Sequence, residues 1–353
     1  MGERETLTWA IAGCGVIGAQ HAAAVAQVPG CALVACVDSR PEAARTLAAQ
    51  YGMARWYSSL EEMLREVGPD VMSVCTPSGL HEAICVQSAQ SGCHLLVEKP
   101  IEIRLEAADR IIDACSRAGV KLGVAFQRRM AHIPQATRRA VQAGLLGELI
   151  AGDAHVKYHR PQAYYDGAGW RGTWALDGGG ALMNQGVHTV DLLQWIMGPV
   201  QSVYAYGGTL AHRCEVEDTI VAAVKFANGA LGVLQAMTSC FPAYGHRLEF
   251  HGRQGTIMVH GDMRAGDRIV HAGVNGESGW PEMDALNTCK PDPADGFPGG
   301  HALLVKDMIE AIRQDREPAI PGLEARKSLE IILAVYESAR SGKEVCLPLA
   351  ARG

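Results

Sequence analysis

Two kinds of hydrophobic pattern divide the chain. Up to Ala125 the apolar residues come in short unbroken runs: Leu7–Ala12, Ala32–Val37, Val71–Cys75, His94–Val97 and Lys121–Ala125. Unbroken runs of this length suit strands covered on both faces. The stretches between them, Gly18–Gln27, Pro41–Gln50, Ser59–Glu66, Leu80–Gln90 and Leu105–Arg117, have helical length. Pro41 sits in a first turn, where its missing N–H does no harm, and Gly92 and Gly119 stand where helices must stop. This alternation predicts an α/β unit with a doubly wound parallel sheet over residues 1–125.

After Phe126 the period changes. His132–Ala143 reads as one more helix. Leu149–Tyr158, Val200–Gly207, Asp218–Phe226, Ala230–Thr238, His246–His251 and Thr256–His260 then alternate as strands do. Asn228-Gly229 between two of them is a hairpin signal. Gly273–Gly300, rich in Gly, Pro and Asp, is expected to be a long surface loop or lid. Helices His301–Arg313 and Leu323–Arg340 close the chain. Residues 126–353 are therefore expected to form an α+β domain around a large, mostly antiparallel open sheet.

Composition narrows the function classes. At 353 residues the chain exceeds one comfortable core, which supports two domains. A net charge of -6 without a basic patch argues against nucleic acid. No apolar run reaches the ~18 residues of a membrane span. The 11 cysteines are odd in number and lack metal-ligand spacing, which suits reduced thiols in the cytoplasm. Asp153, His155, Lys157 and His159 alternate along one strand, but a lysine stands between the histidines. No metal site is expected there.

Gly13-Cys14-Gly15-Val16-Ile17-Gly18 follows the first strand and opens a helix, and Asp38 ends the second strand. In that context the glycine pattern is a dinucleotide fingerprint: the backbone approaches a pyrophosphate, and the helix N-terminus faces it. Asp38 suits the ribose hydroxyls and disfavours a 2′-phosphate, so NAD is expected. Ser39 and Arg40 keep NADP open. Loops at the carboxyl ends of parallel strands face the ligand crevice. Thr76 and Pro77 are placed for the nicotinamide side, with His81 opening the next helix, and Glu98-Lys99-Pro100 follows the fourth run. The proline lowers the cost of a cis Lys99–Pro100 bond to about 0.5–1 kcal/mol.

Gly178-Gly179-Gly180 leads into a helix running to about Met197. At 100° per residue, Asn184, His188, Asp191 and Trp195 share one face, while Val187, Val190, Leu193 and Met197 suit a core. Weaker candidates flank it. Arg128 and Arg129 begin the second domain, and Tyr164, Tyr165, Trp170, Arg171 and Trp174 precede the helix. Their aromatic faces suit either a sugar ring or a core.

With these motifs the chain resembles the glucose–fructose oxidoreductase / inositol dehydrogenase / MocA family over nearly its whole length. The resemblance implies that Lys99 of the Glu-Lys-Pro tripeptide reaches both substrate and nicotinamide, with Glu98 beside it on the cofactor side. It also implies a sugar, cyclitol or sugar-derivative substrate and a homodimer or homotetramer built on the open sheet. A secondary-alcohol dehydrogenase needs a group to take the hydroxyl proton, and histidine suits this. His188 and Lys99 form the expected proton-transfer pair. Asn184, Asp191, Arg128, Trp174 and Tyr165 are expected at the substrate. The family places an acid four residues before the histidine, where this chain has Asn184, and an amide cannot take a proton at neutral pH. Two other readings stay open: a glycoside hydrolase that retains NAD for transient oxidation, and a non-catalytic sugar or dinucleotide sensor.

Overall fold

The computed structural model describes residues 6–167, 169–262, 266–288 and 299–350. In chain order the first elements are β1 (Leu7–Ala12), α1 (Val16–Gln27), β2 (Cys31–Val37), α2 (Pro41–Tyr51), β3 (Arg55–Tyr57), α3 (Leu60–Glu66), β4 (Val71–Val74), α4 (His81–Gln90), β5 (His94–Val97), α5 (Leu105–Ala118) and β6 (Leu122–Val124). Then come α6 (His132–Gln142), β7 (Leu149–Lys157), α7 (Gln162–Asp166), α8 (Val187–Met197), β8 (Val200–Gly208), β9 (Thr219–Phe226), β10 (Leu231–Met237), β11 (Gly245–Gly252), β12 (Gly255–Asp262), β13 (Gly266–Val274) and β14 (Glu277–Ser278). The last are α9 (Pro281–Asp284), α10 (Gly299–Arg313), α11 (Gly322–Ser341) and β15 (Val345–Cys346). Among the described residues no helix is long and apolar enough to cross a membrane.

The chain forms two units: Met1–Gln127 with Phe297–Arg326, and Arg128–Gly296 with Lys327–Gly353. In the first, six strands run in the order β3-β2-β1-β4-β5-β6, and every pairing is parallel. Trp9, Ile11, Met72, Leu95 and Val97 on these strands are fully buried, as a sheet covered on both faces requires. β3, only three residues long and with Arg55 and Trp56 exposed, is too short to show a period.

A linear boundary at residue 125 assigns 297–326 to the second domain. The structure instead gives this stretch to the first unit. α10 packs on α1, and the chain beyond it pairs with β6, where the Val124 N–H donates to the Ile320 carbonyl at 3.0 Å. An amphipathic helix declares that it needs a core without declaring which one.

In the second unit nine strands follow the order β14-β13-β12-β11-β7-β10-β9-β8-β15. The sheet is mostly antiparallel, but β7 and β10 run parallel. Burial alternates residue by residue along β7 and β9, which gives the sheet one covered and one open face. α8 covers the inner face, with Val187, Val190 and Leu193 buried. The expected loop at 273–300 is built in its first half: β13 and β14 pair there, and α9 follows. Residues 289–298 lie outside the described part.

Candidate active site

The first unit carries the dinucleotide turn. Gly13 has φ +93°, and a Cβ there would come within 2.7 Å of the Cys75 carbonyl, so only glycine lets the turn lie against the β4 loop. Around the Cβ position of Gly15 nothing lies within 4 Å, so an incoming group can reach the backbone. The first turn of α1 has no side-chain cap and no acidic residue, leaving its N–H groups for an anion. Val16 at this turn is 73% exposed and Ile17 half-buried.

Asp38 closes the cradle. Its carboxylate accepts from the Cys14 N–H at 2.8 Å and from the Arg40 N–H at 2.9 Å. Burial pushes this carboxyl up, but the two backbone N–H groups and the Arg40 guanidinium hold it below its ordinary value. It therefore stays ionised at neutral pH. Ser39 and Arg40 are exposed, and Arg40 is drawn onto Asp38 at 3.3 Å.

In the β4 loop Thr76 Oγ1 is buried without a hydrogen-bond partner, as expected of a group that meets a ligand. Open space at Gly15, the uncapped helix and this orphaned hydroxyl together fit NAD. Pro77 precedes the single turn Ser78–Leu80 that leads into α4. His81 corrects the expectation of direct cofactor contact. It is fully buried, with Nδ1 on the Ile101 carbonyl and Nε2 on the Thr76 carbonyl, so it holds the loop.

Glu98 also turns inward. Its Oε1 meets His21 Nε2 at 2.9 Å and His301 Nε2 at 3.2 Å, while its Oε2 accepts the Lys99 backbone N–H at 3.2 Å. His21 Nδ1 lies 2.9 Å from Ser73 Oγ, which accepts from the Trp9 indole. Burial pushes the Glu98 carboxyl up, yet hydrogen bonds from the two histidines hold it well below the usual range. Lys99 thus follows a strand end anchored on a buried charge, and the Lys99–Pro100 bond is cis.

The second unit builds its site around α8. The helix is approached through one wide π turn, Ala181–Gly186, a feature common at functional sites. Glu217 pins this turn, accepting from the Gly180 and Leu182 N–H groups at 2.8 Å each and from the Tyr336 hydroxyl at 2.9 Å. A Cβ on Gly180 would lie 1.8 Å from the Glu217 carbonyl oxygen, and one on Gly179 would lie 2.2 Å from the Tyr336 hydroxyl. The glycine run thereby lets the turn pack on both residues. Burial pushes the Glu217 carboxyl up to about 7, against the pull of these donors.

Asn184 and His188, half-buried, lie one on the π turn and one on α8. Asp177, 3% exposed, accepts from the Asn184 amide at 2.7 Å and from the Gly172 N–H at 2.9 Å. It supplies a carboxylate beside the position where the family has its acid. Nothing in the linear spacing announces it, and the same holds for Glu217, Tyr336, His21 and His301.

Three expected substrate residues are otherwise engaged. Asp191 is 1% exposed and pairs with Arg129 at 2.6 and 2.7 Å, while Ser328 donates to it at 2.7 Å. A buried guanidinium needs this partner, so Asp191 serves the core. Arg128 is paired with Asp267 at 2.5 Å and touches His246. Tyr165 is buried with its hydroxyl 2.7 Å from Thr238 Oγ1. Trp174 is 40% exposed; its indole donates to the Glu215 carbonyl, and its ring edge meets Tyr336.

Residues 7–126 match the oxidoreductase family with an NAD-binding Rossmann fold, and residues 135–258 match the GFO/IDH/MocA C-terminal domain. The chain belongs to the GFO/IDH/MocA family. It is an NAD-binding oxidoreductase of that family, whose named relatives act on sugars and cyclitols. WlbA dehydrogenase from Bordetella pertussis, solved with NADH and UDP-GlcNAcA, is 37% identical, with a TM-score of 0.91 over 98% of this chain and 99% of that one. Scyllo-inositol 2-dehydrogenase of Bacillus subtilis is 26% identical over 96% of this chain and 95% of its own. D-glucoside 3-dehydrogenase of Escherichia coli is 33% identical over 59% of this chain and 62% of its own.

Proposed function

We propose that this GFO/IDH/MocA protein transfers hydride between NAD and a secondary alcohol or ketone on a sugar, cyclitol or sugar derivative, with Lys99 and His188 handling the hydroxyl proton. The observation that carries this reading is the second-unit site: a half-buried histidine on a helix whose preceding π turn is pinned by Glu217, beside an amide fixed by Asp177. A fixed amide orients a hydroxyl, and a histidine one turn on takes its proton. The dehydrogenases named above support a polyhydroxylated substrate.

The residues that would hold NAD are Gly13, Gly15, Val16, Ile17 and Gly18 at the pyrophosphate, Asp38 at the ribose, and Thr76, Pro77 and Lys99 towards the nicotinamide. When bound, NAD supplies the hydride acceptor. Lys99 Nζ stabilises the alkoxide that forms as His188 takes the hydroxyl proton. In the reductive direction the same two groups return that proton. Asn184 donates or accepts at a neighbouring hydroxyl and selects which carbon faces the hydride.

Homodimers or homotetramers built on the open sheet face belong to the same reading. They are supported by Tyr204, Tyr206, Val221 and Val233, which stand exposed on adjacent strands β8, β9 and β10.

The deciding experiment follows absorbance at the reduced-nicotinamide band while inositols, aldoses, glucosides and nucleotide-linked sugars are offered with NAD and then NADP. A rise with NAD and one polyol is the expected result. Tightly bound NAD with no net reduction by any of them would overturn it in favour of transient oxidation or sensing.

A further inference from the structure

Glu98 is a buried carboxylate, 7% exposed, whose partners are imidazole and a backbone N–H. Among the described residues no arginine or lysine pairs with it. Asp191, also buried, has Arg129. A buried charge is ordinarily paired with an opposite charge or coordinates a metal ion.

Three elements of the first unit bring metal-ligating atoms together here: His21 from α1, Glu98 from the end of β5 and His301 from α10. The ligand atoms of these buried residues all lie within 4.8 Å of one another. Nε2 of His21 and Nε2 of His301 stand 2.9 and 3.2 Å from the same oxygen, Oε1. Zinc bonds of about 2.0–2.2 Å in a tetrahedral site set neighbouring ligand atoms roughly 3.4 Å apart, which these two spacings already approach. The two rings meet edge to face with centroids 4.8 Å apart, so the nitrogens converge on the carboxylate from different directions.

The outer partners also suit a metal ligand. His21 Nδ1 lies 2.9 Å from Ser73 Oγ, and Glu98 Oε2 accepts the Lys99 N–H. Such partners fix the orientation and tautomer of ligating groups. The carboxylate has no proton to lose, because it titrates well below the usual range. Each imidazole offers Nε2 to an ion once its single proton sits on Nδ1, which in His21 faces Ser73 Oγ. A second group of this kind, Asp153, Glu249 and His251, differs, because Glu249 already pairs with Arg247.

We infer that His21, Glu98 and His301 form a zinc site, with water in the fourth position, that staples α10 to the first unit and fixes the strand end before Lys99. Two imidazoles and a carboxylate are a ligand set suited to zinc. The site is independent of the dehydrogenase reading.

The test uses the full-length protein, stripped with a chelator and then freed of it, with cobalt(II) as the spectroscopic stand-in for zinc. Wild type is expected to take up one cobalt per chain, with the visible d–d absorption of a four-coordinate site and no thiolate charge-transfer band. Zinc should displace the cobalt and raise Tm by several degrees in calorimetry. His301→Gln is expected to weaken zinc binding by more than about 100-fold, beyond the roughly 10- to 100-fold cost of losing an outer partner. His301→Cys keeps a ligand at this position and should add a thiolate-to-cobalt charge-transfer band. His251→Ala should leave every one of these readings unchanged.

No uptake of either metal at one equivalent, a thiolate band already in wild type, zinc affinity kept in His301→Gln or lost in His251→Ala, or no new band in His301→Cys would each overturn the site. If His301→Gln fails to fold, the wild-type and His301→Cys spectra still decide it.

Discussion

Lys99 is attached to the strand end through a buried charge, since the Glu98 carboxylate that takes its backbone N–H also receives His21 and His301. Proton-transfer groups contribute about 10²–10⁴-fold to rate. Lys99→Ala is therefore expected to lower kcat by roughly 10³-fold while the Kd for NADH, from fluorescence titration, stays within about threefold. A matching loss of NADH affinity would make Lys99 a cofactor ligand first. Glu98 gives a prediction with a sign. Its folded carboxyl titrates well below the ordinary range, so its stabilisation is full above about pH 4.3 and is lost as pH falls through the folded value. Glu98→Gln is expected to lower Tm by several degrees at pH 7, with the gap closing towards pH 3. A gap constant across that range in calorimetry would show that the charge is not what matters. At this scale the glycine turn and Asp38 were legible, because turn, helix start and next strand end are adjacent in sequence. The Glu98 cluster was not, because its histidines lie 77 and 203 residues away and only the closed sheet brings them together.

α8 shows what periodicity conveys and what it omits. Its buried positions, Val187, Val190, Leu193 and Met197, follow the expected helical stripe. The polar face divides. Asn184 sits on a π turn, where the 100° step does not hold, and Asp191 is claimed by Arg129 from the segment before α6. A sequence pattern marks a polar residue as unsuited to an apolar core. It cannot say whether a buried arginine waits for it. What fixes this element is Glu217, which holds the Gly180 and Leu182 N–H groups and the Tyr336 hydroxyl. Glu217→Ala would leave those buried donors without their acceptor, at about 1–3 kcal/mol for each group not rescued by water. The expected outcome is a lower Tm and a drop in kcat of about tenfold or more, because His188 loses a fixed helix start. NADH affinity should hold, since the nucleotide residues lie in the other unit. Unchanged kcat with lowered Tm would confine Glu217 to stability. Its raised carboxyl adds a pH signature. With a folded value of about 7 against about 4.5 unfolded, the native state holds the proton longer, so its contribution to stability falls as pH rises between those values and is level above. The wild-type Tm advantage over Glu217→Ala should therefore be larger at pH 5 than at pH 8.

The first unit is discontinuous, and that gives the molecule an architecture no local pattern contains. Its sheet ends at β6, where Gly123 bridges to Pro321, the Val124 N–H donates to Ile320, and a Cβ on Gly123 would meet the Met308 methyl at 2.8 Å. Arg326 pairs with Asp109 of α5 at 2.5 Å, and His301 of α10 completes the Glu98 cluster. Val305 and Met308 of α10 are almost wholly buried. A fragment ending at Gln127 would retain every strand and glycine of the dinucleotide fold. It would also expose the apolar surface that α10 covers, at about 25 cal/mol per Å², and leave Glu98 with one histidine. Domains of this size hold only about 5–15 kcal/mol in total, so these losses decide whether it folds. Residues 1–127 alone are expected to unfold without a sharp transition and to bind NADH weakly. Residues 1–127 joined by a flexible linker to 299–326 should melt cooperatively and bind NADH within about tenfold of the full chain. Calorimetry and NADH fluorescence on the two fragments decide the point. If the shorter one melted and bound like the longer, α10 would be a passenger on a self-sufficient fold, and the buried charge beneath Lys99 would need only His21.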